Sequence, residues 1–275
     1  MDTEKKILIG GLVIVVIFGA LIFVLGILHW ISAGFNPVND APFLGYDLLV
    51  CVAFGTSAHL WSRLPGLPEG KPIKTLFKMM GLSFFVIAFI FIYSIIDTLL
   101  IWAGMMGLSA MIDAVIPQVQ FPLFNIFSVR MPLSSVVTFA FIMLGVAFFI
   151  FPLERYVKSR KPWFAISMLI CMCIIPLFIA FRNNWIALSI ATTGIVLFVF
   201  INFVFMFYLY ISLARMSAGK MRIASILVAF GLFSMIFVWI VGVGMFSDKF
   251  IQAIVQFGIG IASLVMFNTG FRIMK

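Results

Sequence analysis

The chain has 275 residues, of which 64% are hydrophobic and 10% are charged, and its net charge is +9. A soluble domain carries about 25% charged residues, so this composition excludes a water-soluble globular protein and indicates lipid as the main solvent. The basic residues lie in short segments beside apolar stretches, where they favour cytoplasmic retention and attract anionic lipid headgroups. Membrane lipids are therefore the predicted partners of this positive charge, and nucleic acid is not.

Eight apolar stretches follow one another along the chain, each close to or above the ~20 residues that cross a bilayer as a helix. Strands are not expected, because a membrane barrel shows ~10-residue alternating segments and these stretches are apolar on both faces. The predicted spans are Ile7–Ile31, Pro42–Trp61, Leu76–Ala103, Pro132–Phe151, Trp163–Phe181, Trp185–Ala214, Ile223–Met245 and Phe250–Asn268. We predict an all-α polytopic membrane protein, a bundle of eight transmembrane helices forming a single transmembrane domain over residues 1–275.

The segment Gly104–Met131, between the third and fourth spans, is the longest gap on the outer side. Its apolar residues recur at helical spacing: Met105, Leu108, Met111, Ile112, Val115 and Ile116. This pattern predicts an external interfacial helix between helices three and four, lying over the outer mouth of the bundle. Pro117 and Pro122 then mark the return to the membrane.

The distribution of lysine and arginine predicts the orientation. Fifteen of the eighteen basic residues lie at the N-terminus, at the C-terminus and in alternate gaps, and only Arg130, Arg182 and Lys249 lie on the other side. Cytoplasmic loops of membrane proteins carry an excess of lysine and arginine. A miscount of one span would destroy the alternation of basic and non-basic gaps. We therefore predict a multi-pass protein of the cell membrane with cytoplasmic N- and C-termini.

Polar side chains within the spans collect near their outer ends. Ionisable groups in hydrocarbon are costly, about 2.5–3.5 kcal/mol each by insertion scales, and mark functional sites by default. On the eighth span, glutamines at a spacing of four continue a stripe from Asp248 along one helix face. The predicted ligand-binding residues are His29, Asp47, Tyr93, Asp97, Gln252 and Gln256. They would line an outward-facing polar pocket; the alternative is that each reaches interfacial water or a neighbouring group.

The cytoplasmic half carries fewer polar groups. Glu154 lies beside a basic cluster and is expected to pair with Arg155 or Lys158 at the interface. Asn202 is expected to form a hydrogen bond to another helix. No continuous polar path crosses the predicted bundle, which argues against an ion channel or a proton-coupled carrier, because both need sites near the midplane.

Small residues on two spans predict close contacts between helices, and one proline predicts a kink. Gly10, Gly11, Gly19 and Gly26 on the first span, and Gly258 with Ala262 on the eighth, permit close approach of another helix. Whether these contacts lie within the chain or between protomers is open. Pro176, inside the fifth span, is expected to produce a kink because it leaves the carbonyl of Met172 without its helical donor.

No motif for a metal, a cofactor or catalysis is present in the sequence. Cys171 and Cys173 are soft potential ligands, but residues two apart on a helix diverge by about 200°, so they cannot easily hold one ion. Gly55–His59 includes a serine and a histidine on opposite helix faces, which is not a nucleophile–base pair. We predict no catalytic residue, no metal and no cofactor.

Three functional hypotheses follow. The first is a non-enzymatic integral membrane receptor, sensor or complex subunit, with a small or amphipathic ligand in the outer pocket and a separate cytoplasmic or membrane protein partner. The alternative is a transporter or flippase for an apolar or amphipathic substrate. The third is a membrane-embedded enzyme acting on lipid, with Asp47, Asp97 and His29 as acid and base.

Overall fold

A computed structural model describes residues 3–69, 72–114, 119–120, 130–131, 133–157, 161–172, 184–242 and 249–273. Within these ranges the chain is almost entirely helical. One antiparallel pairing joins β1 (Val119–Gln120) to β2 (Arg130–Met131), with Val119 opposite Met131.

Helix is found in each of the eight predicted spans. In chain order the helices are α1 (Thr3–Ala33), α2 (Pro37–Ser62), α3 (Pro72–Trp102), α4 (Leu108–Asp113), α5 (Leu133–Pro152), α6 (Trp163–Cys171), α7 (Trp185–Met216), α8 (Gly219–Gly242) and α9 (Lys249–Ile273). A 3₁₀ turn follows α2 at Leu64–Gly66, and α5 continues into a π-helical segment at Leu153–Val157. Pro176 and its expected kink lie outside the described residues.

Four helical segments in the described part of the chain are long and apolar enough to cross a membrane: Thr3–Ala33, Pro42–Gly66, Ile73–Trp102 and Phe250–Ile273. Phe200–Met216 is a shorter apolar helix. Because a helix of about 20 apolar residues matches the thickness of the hydrocarbon core, these segments indicate a membrane location. The predicted class is thus confirmed as an all-helical protein with several helices of membrane-spanning length.

Six helices surround a common centre. Helix α2 packs against α3 and α9, α3 packs against α5, and α9 packs along α8, which in turn packs along α7. Helix α7 touches α5 and α6 only lightly, so the contact between α5 and α7 is the weakest junction of this ring. Helices α1 and α6 lie outside the ring.

Helix α1 is attached to the rest of the protein mainly through α2. Gly11, Gly19 and Gly26 face Ala58, Cys51 and Phe43 of that helix, so the predicted close approach is made within the chain. Gly10 points into open space, and most other side chains of α1 are exposed in the protein alone. In a bilayer these apolar side chains would face lipid.

Serine hydroxyls join neighbouring helices at glycine carbonyls. The Ser57 hydroxyl donates to Gly81 and the Ser83 hydroxyl donates to Gly145, each at 2.8 Å, linking α2 to α3 and α3 to α5. Ser263 of α9 donates in the same way to Gly231 of α8. Such bonds are available because a glycine lets the neighbouring backbone come close enough for a short side chain to reach it. Gly258, in contrast, meets no neighbour within 4 Å.

The segment between α3 and α5, predicted to be external, contains a helix of six residues, α4. Met105, Met106 and Met111 are exposed, whereas Ile112 packs against the core. Val115 and Ile116, which belonged to the same predicted helix, lie outside the described residues. Within the described ranges, α4 is therefore shorter than the apolar spacing predicts.

Candidate functional site

Tyr93 and Asp97 are brought together near the C-terminal end of α3 by one residue of α4. Asp97 accepts a hydrogen bond from the Ser109 backbone N–H at 2.7 Å and a second from the Ser109 hydroxyl at 3.0 Å. The Tyr93 hydroxyl lies 3.1 Å from the same serine oxygen. Since a serine has one hydroxyl hydrogen and gives it to Asp97, Tyr93 is the donor in that contact. Asp97 thus holds the start of α4 against α3.

His29 lies beside an aromatic pair rather than beside the carboxylates. Its ring stacks on Trp102 with centroids 4.0 Å apart and planes 6° from parallel. Phe43 packs on the same indole at 4.5 Å. These contacts join the C-terminal ends of α1 and α3 to the N-terminal part of α2 and give His29 a packing role.

Asp47 lies at the junction of α1 and α2. Its side chain is 8% exposed, and its Oδ1 atom accepts a hydrogen bond from the Cys51 thiol at 3.9 Å, one turn along the helix. A Cβ atom built on Gly19 of α1 would lie 2.7 Å from the same sulfur. Asp47 therefore faces α1, and it does not share a pocket with Asp97.

A cavity of about 220 Å³ lies inside the ring of six helices. It is larger than the engineered ~150 Å³ apolar cavity that stays dry and binds benzene. Its walls are formed almost wholly by aliphatic and aromatic side chains of α2, α3, α5, α7, α8 and α9. Gln256 lines it, whereas the other five predicted ligand residues do not. A cavity of this kind suits an apolar or amphipathic molecule.

The polar groups of the cavity wall lie toward one end. They are Tyr46, Ser94, Thr138 and Gln256. The Tyr46 hydroxyl meets the Ser94 hydroxyl and is close enough to Asp97 to interact with its charge. The ring of Tyr46 also packs on Phe257 at 5.0 Å and on Phe91 at 6.2 Å, so its position is set by contacts with two other helices.

The opposite end of the cavity is aromatic. Phe149 and Phe267 line it with their rings 5.6 Å apart, and Phe84 packs edge-on against both. Thr138 and Phe149 are eleven positions apart on α5, and Gln256 and Phe267 are eleven positions apart on α9. At ~1.5 Å per helical residue this separation corresponds to about 16 Å along the helix. The cavity is therefore long and amphipathic, with hydroxyl and amide groups at one end and hydrocarbon at the other.

Tyr46, Ser94 and Thr138 were missed by sequence reasoning. Ionisable groups in hydrocarbon stand out because their burial is costly, whereas a buried hydroxyl costs far less and marks a site only weakly. Tyr46 precedes Asp47, and adjacent residues on a helix point about 100° apart, so one faces the cavity while the other faces α1. The sequence does not indicate which of the two directions leads to the centre.

No group of three His, Cys, Asp or Glu side chains within the described ranges is arranged to hold a metal ion. Cys173 lies outside those ranges. Ligand binding by the six predicted residues remains a prediction. Five of them lie in three separate surroundings and one cavity wall, and Gln252 lies on α9 one turn before Gln256 without lining the cavity.

Comparison with known proteins gives no match, whether to a protein-family model, to a curated protein or to a solved structure. The cavity and the residues around it are therefore the features that bear on function.

Proposed function

We propose that this protein is a non-enzymatic membrane receptor, sensor or complex subunit that binds an amphipathic ligand inside its helical bundle. The observation that carries the proposal is the cavity, with polar groups at one end and about 16 Å of apolar wall beyond them. Binding pockets are typically apolar, with a few polar groups that orient the ligand. Tyr46, Thr138 and Gln256 would supply that orientation here.

The proposal includes the eight-span topology in the cell membrane, with both termini cytoplasmic and α4 at the outer interface. The close contacts of the helix ends support it. Glu4 at the start of α1 lies against Gly66, and Gly270 near the end of α9 faces Ala224 near the start of α8. These contacts gather basic ends of several helices on one side of the bundle, as the positive-inside tendency requires.

Cysteine labelling tests this topology in intact cells. Met106→Cys and Ala218→Cys place thiols at two exposed positions in opposite loops. A membrane-impermeant maleimide is expected to modify the first only, and the second only after the membrane is opened. The reverse result would invert the proposed orientation.

The weak junction between α5 and α7 supports access from the bilayer. Phe200 of α7 lines the cavity and is also 47% exposed, so it lies where the cavity reaches the surface of the described bundle. An amphipathic molecule dissolved in the membrane could enter there without crossing water. This route fits a ligand drawn from the lipid phase.

Lipid analysis of the purified protein tests the binding proposal. The variant Ile142→Trp adds bulk at a lining position, and Phe141→Trp places the same side chain at the adjacent exposed position as a matched control. Mass spectrometry of extracts is expected to find an amphiphile retained by the wild type and by Phe141→Trp but depleted in Ile142→Trp. Equal retention by all three proteins would contradict binding in this cavity.

Transport of an apolar or amphipathic substrate remains the alternative. The aromatic end of the cavity argues for binding instead, because Phe149 and Phe267 of its wall form a continuous aromatic cluster with Phe84 and Phe271. A substrate leaving on the cytoplasmic side would have to separate these rings. Flux of a lipid probe in reconstituted vesicles, lost in Ile142→Trp and kept in Phe141→Trp, would favour the transporter over the receptor.

A further inference from the structure

We infer that the ligand of this cavity is a neutral single-chain lipid whose polar end is a hydroxyl or carbonyl group. This inference rests on the proposed function and specifies its ligand class. It is drawn from the charge, the hydrogen-bonding capacity and the length of the cavity wall.

The cavity wall carries no charged side chain among the described residues that form it. A charged headgroup placed there would lose its hydration without gaining a counter-charge. Burial of an unpaired charge is far more costly than burial of a hydroxyl that finds a hydrogen-bond partner. The wall therefore selects against both anionic and cationic headgroups.

Asp97 adds to the selection against anions. Its carboxylate lies close enough to interact with the Tyr46 hydroxyl at the polar end of the cavity. An anionic headgroup beside Tyr46 would be repelled by that charge. A cation would be attracted by the same charge, so selection against cations rests on the loss of hydration at a wall that does not include Asp97.

The polar groups of the cavity wall can act as hydrogen-bond donors or as acceptors toward a neutral headgroup. Hydroxyl groups donate and accept, and the Gln256 amide does both through separate atoms. Ser94 already donates to the Ile90 carbonyl at 3.3 Å, which leaves its oxygen as an acceptor. A ligand hydroxyl could donate to such an oxygen and accept from the glutamine amide, and a ligand carbonyl could accept from the same amide.

The apolar part of the wall suits a linear hydrocarbon chain. From Gln256 to Phe267 the wall runs about 16 Å along one helix, and its far end consists of rings and aliphatic groups. A chain aligned with the helices would place its end among Phe149, Phe267 and Met206, as burial of apolar surface favours.

A competition experiment with permanently charged analogues tests this inference. The full chain is reconstituted in phosphatidylcholine nanodiscs with radiolabelled dodecanol as the probe. Unlabelled dodecanol is expected to displace the probe, and dodecyl sulfonate and dodecyltrimethylammonium are expected to need at least tenfold higher concentrations. Displacement by either charged compound at the concentration of dodecanol would overturn the inference.

Variants separate the failure of this inference from the failure of the proposed function. Gln256→Leu is expected to weaken dodecanol binding at least threefold, while Asn268→Leu, an exposed position on the same helix, leaves it unchanged. If a charged analogue binds equally well and Ile142→Trp abolishes its binding, the cavity remains the site and only the ligand class is wrong. If no amphiphile binds in a manner sensitive to Ile142→Trp or Gln256→Leu, both proposals fail.

Discussion

Asp97 of α3 holds Ser109 of α4 through two hydrogen bonds, one to the backbone N–H at 2.7 Å and one to the hydroxyl at 3.0 Å. The pair lies at the C-terminal end of α3, and the charge of Asp97 is close enough to act on Tyr46 in the cavity wall. The carboxylate thus fixes α4 and also contributes charge near the proposed ligand.

The variant Asp97→Ala is expected to release α4 from α3. Removing the carboxylate leaves the Ser109 N–H without its acceptor, and an unpaired buried group costs about 1–3 kcal/mol. SDS-induced unfolding in mixed micelles should show a loss of this size, with faster hydrogen exchange at residues 108–113. Thr98→Val is the control, because the Thr98 hydroxyl bonds within its own helix, to the Ser94 carbonyl. Equal stability of the two variants would contradict the role assigned to Asp97.

Glu154 is expected to stabilise the start of α6. Its two carboxylate oxygens accept hydrogen bonds from the backbone N–H groups of Phe164 and Ala165 at 3.1 and 3.0 Å. Glu154→Gln removes the charge and one of the two acceptors, for an expected loss of about 1 kcal/mol, since helix starts favour negative charge. The stability is measured by the same unfolding titration.

The matched control for Glu154 is Glu69→Gln. Glu69 is 95% exposed and pairs with Lys74 at 3.3 Å, and exposed pairs contribute about 0–1 kcal/mol. The surface variant is therefore expected to change stability less than the buried one. A larger loss for Glu69→Gln would show that Glu154 does not cap α6 in the membrane.

The neighbouring glycines of α1 are expected to respond oppositely to alanine. A Cβ atom on Gly11 would overlap Ala58 of α2, whereas a Cβ atom on Gly10 would meet nothing within 4 Å. Gly11→Ala should therefore cost about 1–3 kcal/mol through overpacking. Gly10→Ala should be neutral or stabilising by up to about 1 kcal/mol, because alanine favours helix. If Gly11→Ala stabilised the protein, the close contact of Gly11 with Ala58 of α2 would be contradicted.

The Tyr210 hydroxyl is buried with no hydrogen-bond partner within the described part of the chain. Tyr210→Phe removes a polar group that gains nothing from burial, so the variant is expected to be as stable as the wild type or more stable by about 1 kcal/mol. Tyr46→Phe is the comparison, because the Tyr46 hydroxyl meets Ser94 and its removal should destabilise the protein. Marked destabilisation by Tyr210→Phe would reveal a partner for that hydroxyl and contradict the prediction.

Two polar residues have contacts that their sequence-based interpretation did not include. Glu154 is buried and caps α6, while its expected pairing with Arg155 or Lys158 stays a prediction because Lys158 lies outside the described residues. Asn202 donates to the Phe198 carbonyl of its own helix at 2.8 Å rather than to another helix. For Glu154, backbone N–H groups of the next helix compete with the expected basic partners. For Asn202, a carbonyl four residues earlier competes with groups on other helices. Only the folded geometry decides between these partners.

The candidate site was predictable only in part. Of the six residues that the sequence indicated, Gln256 does line the cavity. The shared pocket is not seen among the described residues, because Asp47 faces α1 and Asp97 faces α4. Similar depth in a membrane does not imply proximity, since helices at one depth can point their side chains in different directions.

Local composition by itself determined the lipid solvent, the helical class and the positions of the helices, because hydrophobicity and charge summed over about 20 residues decide whether a segment crosses a bilayer. The rotation of each helix about its axis was decided only by tertiary packing. Glycine contacts such as Gly11 with Ala58, and ring contacts such as Tyr46 with Phe257, choose which face turns inward. In lipid both faces of a helix are apolar, so periodicity carries no signal of direction, and the cavity exists only once the helices have packed.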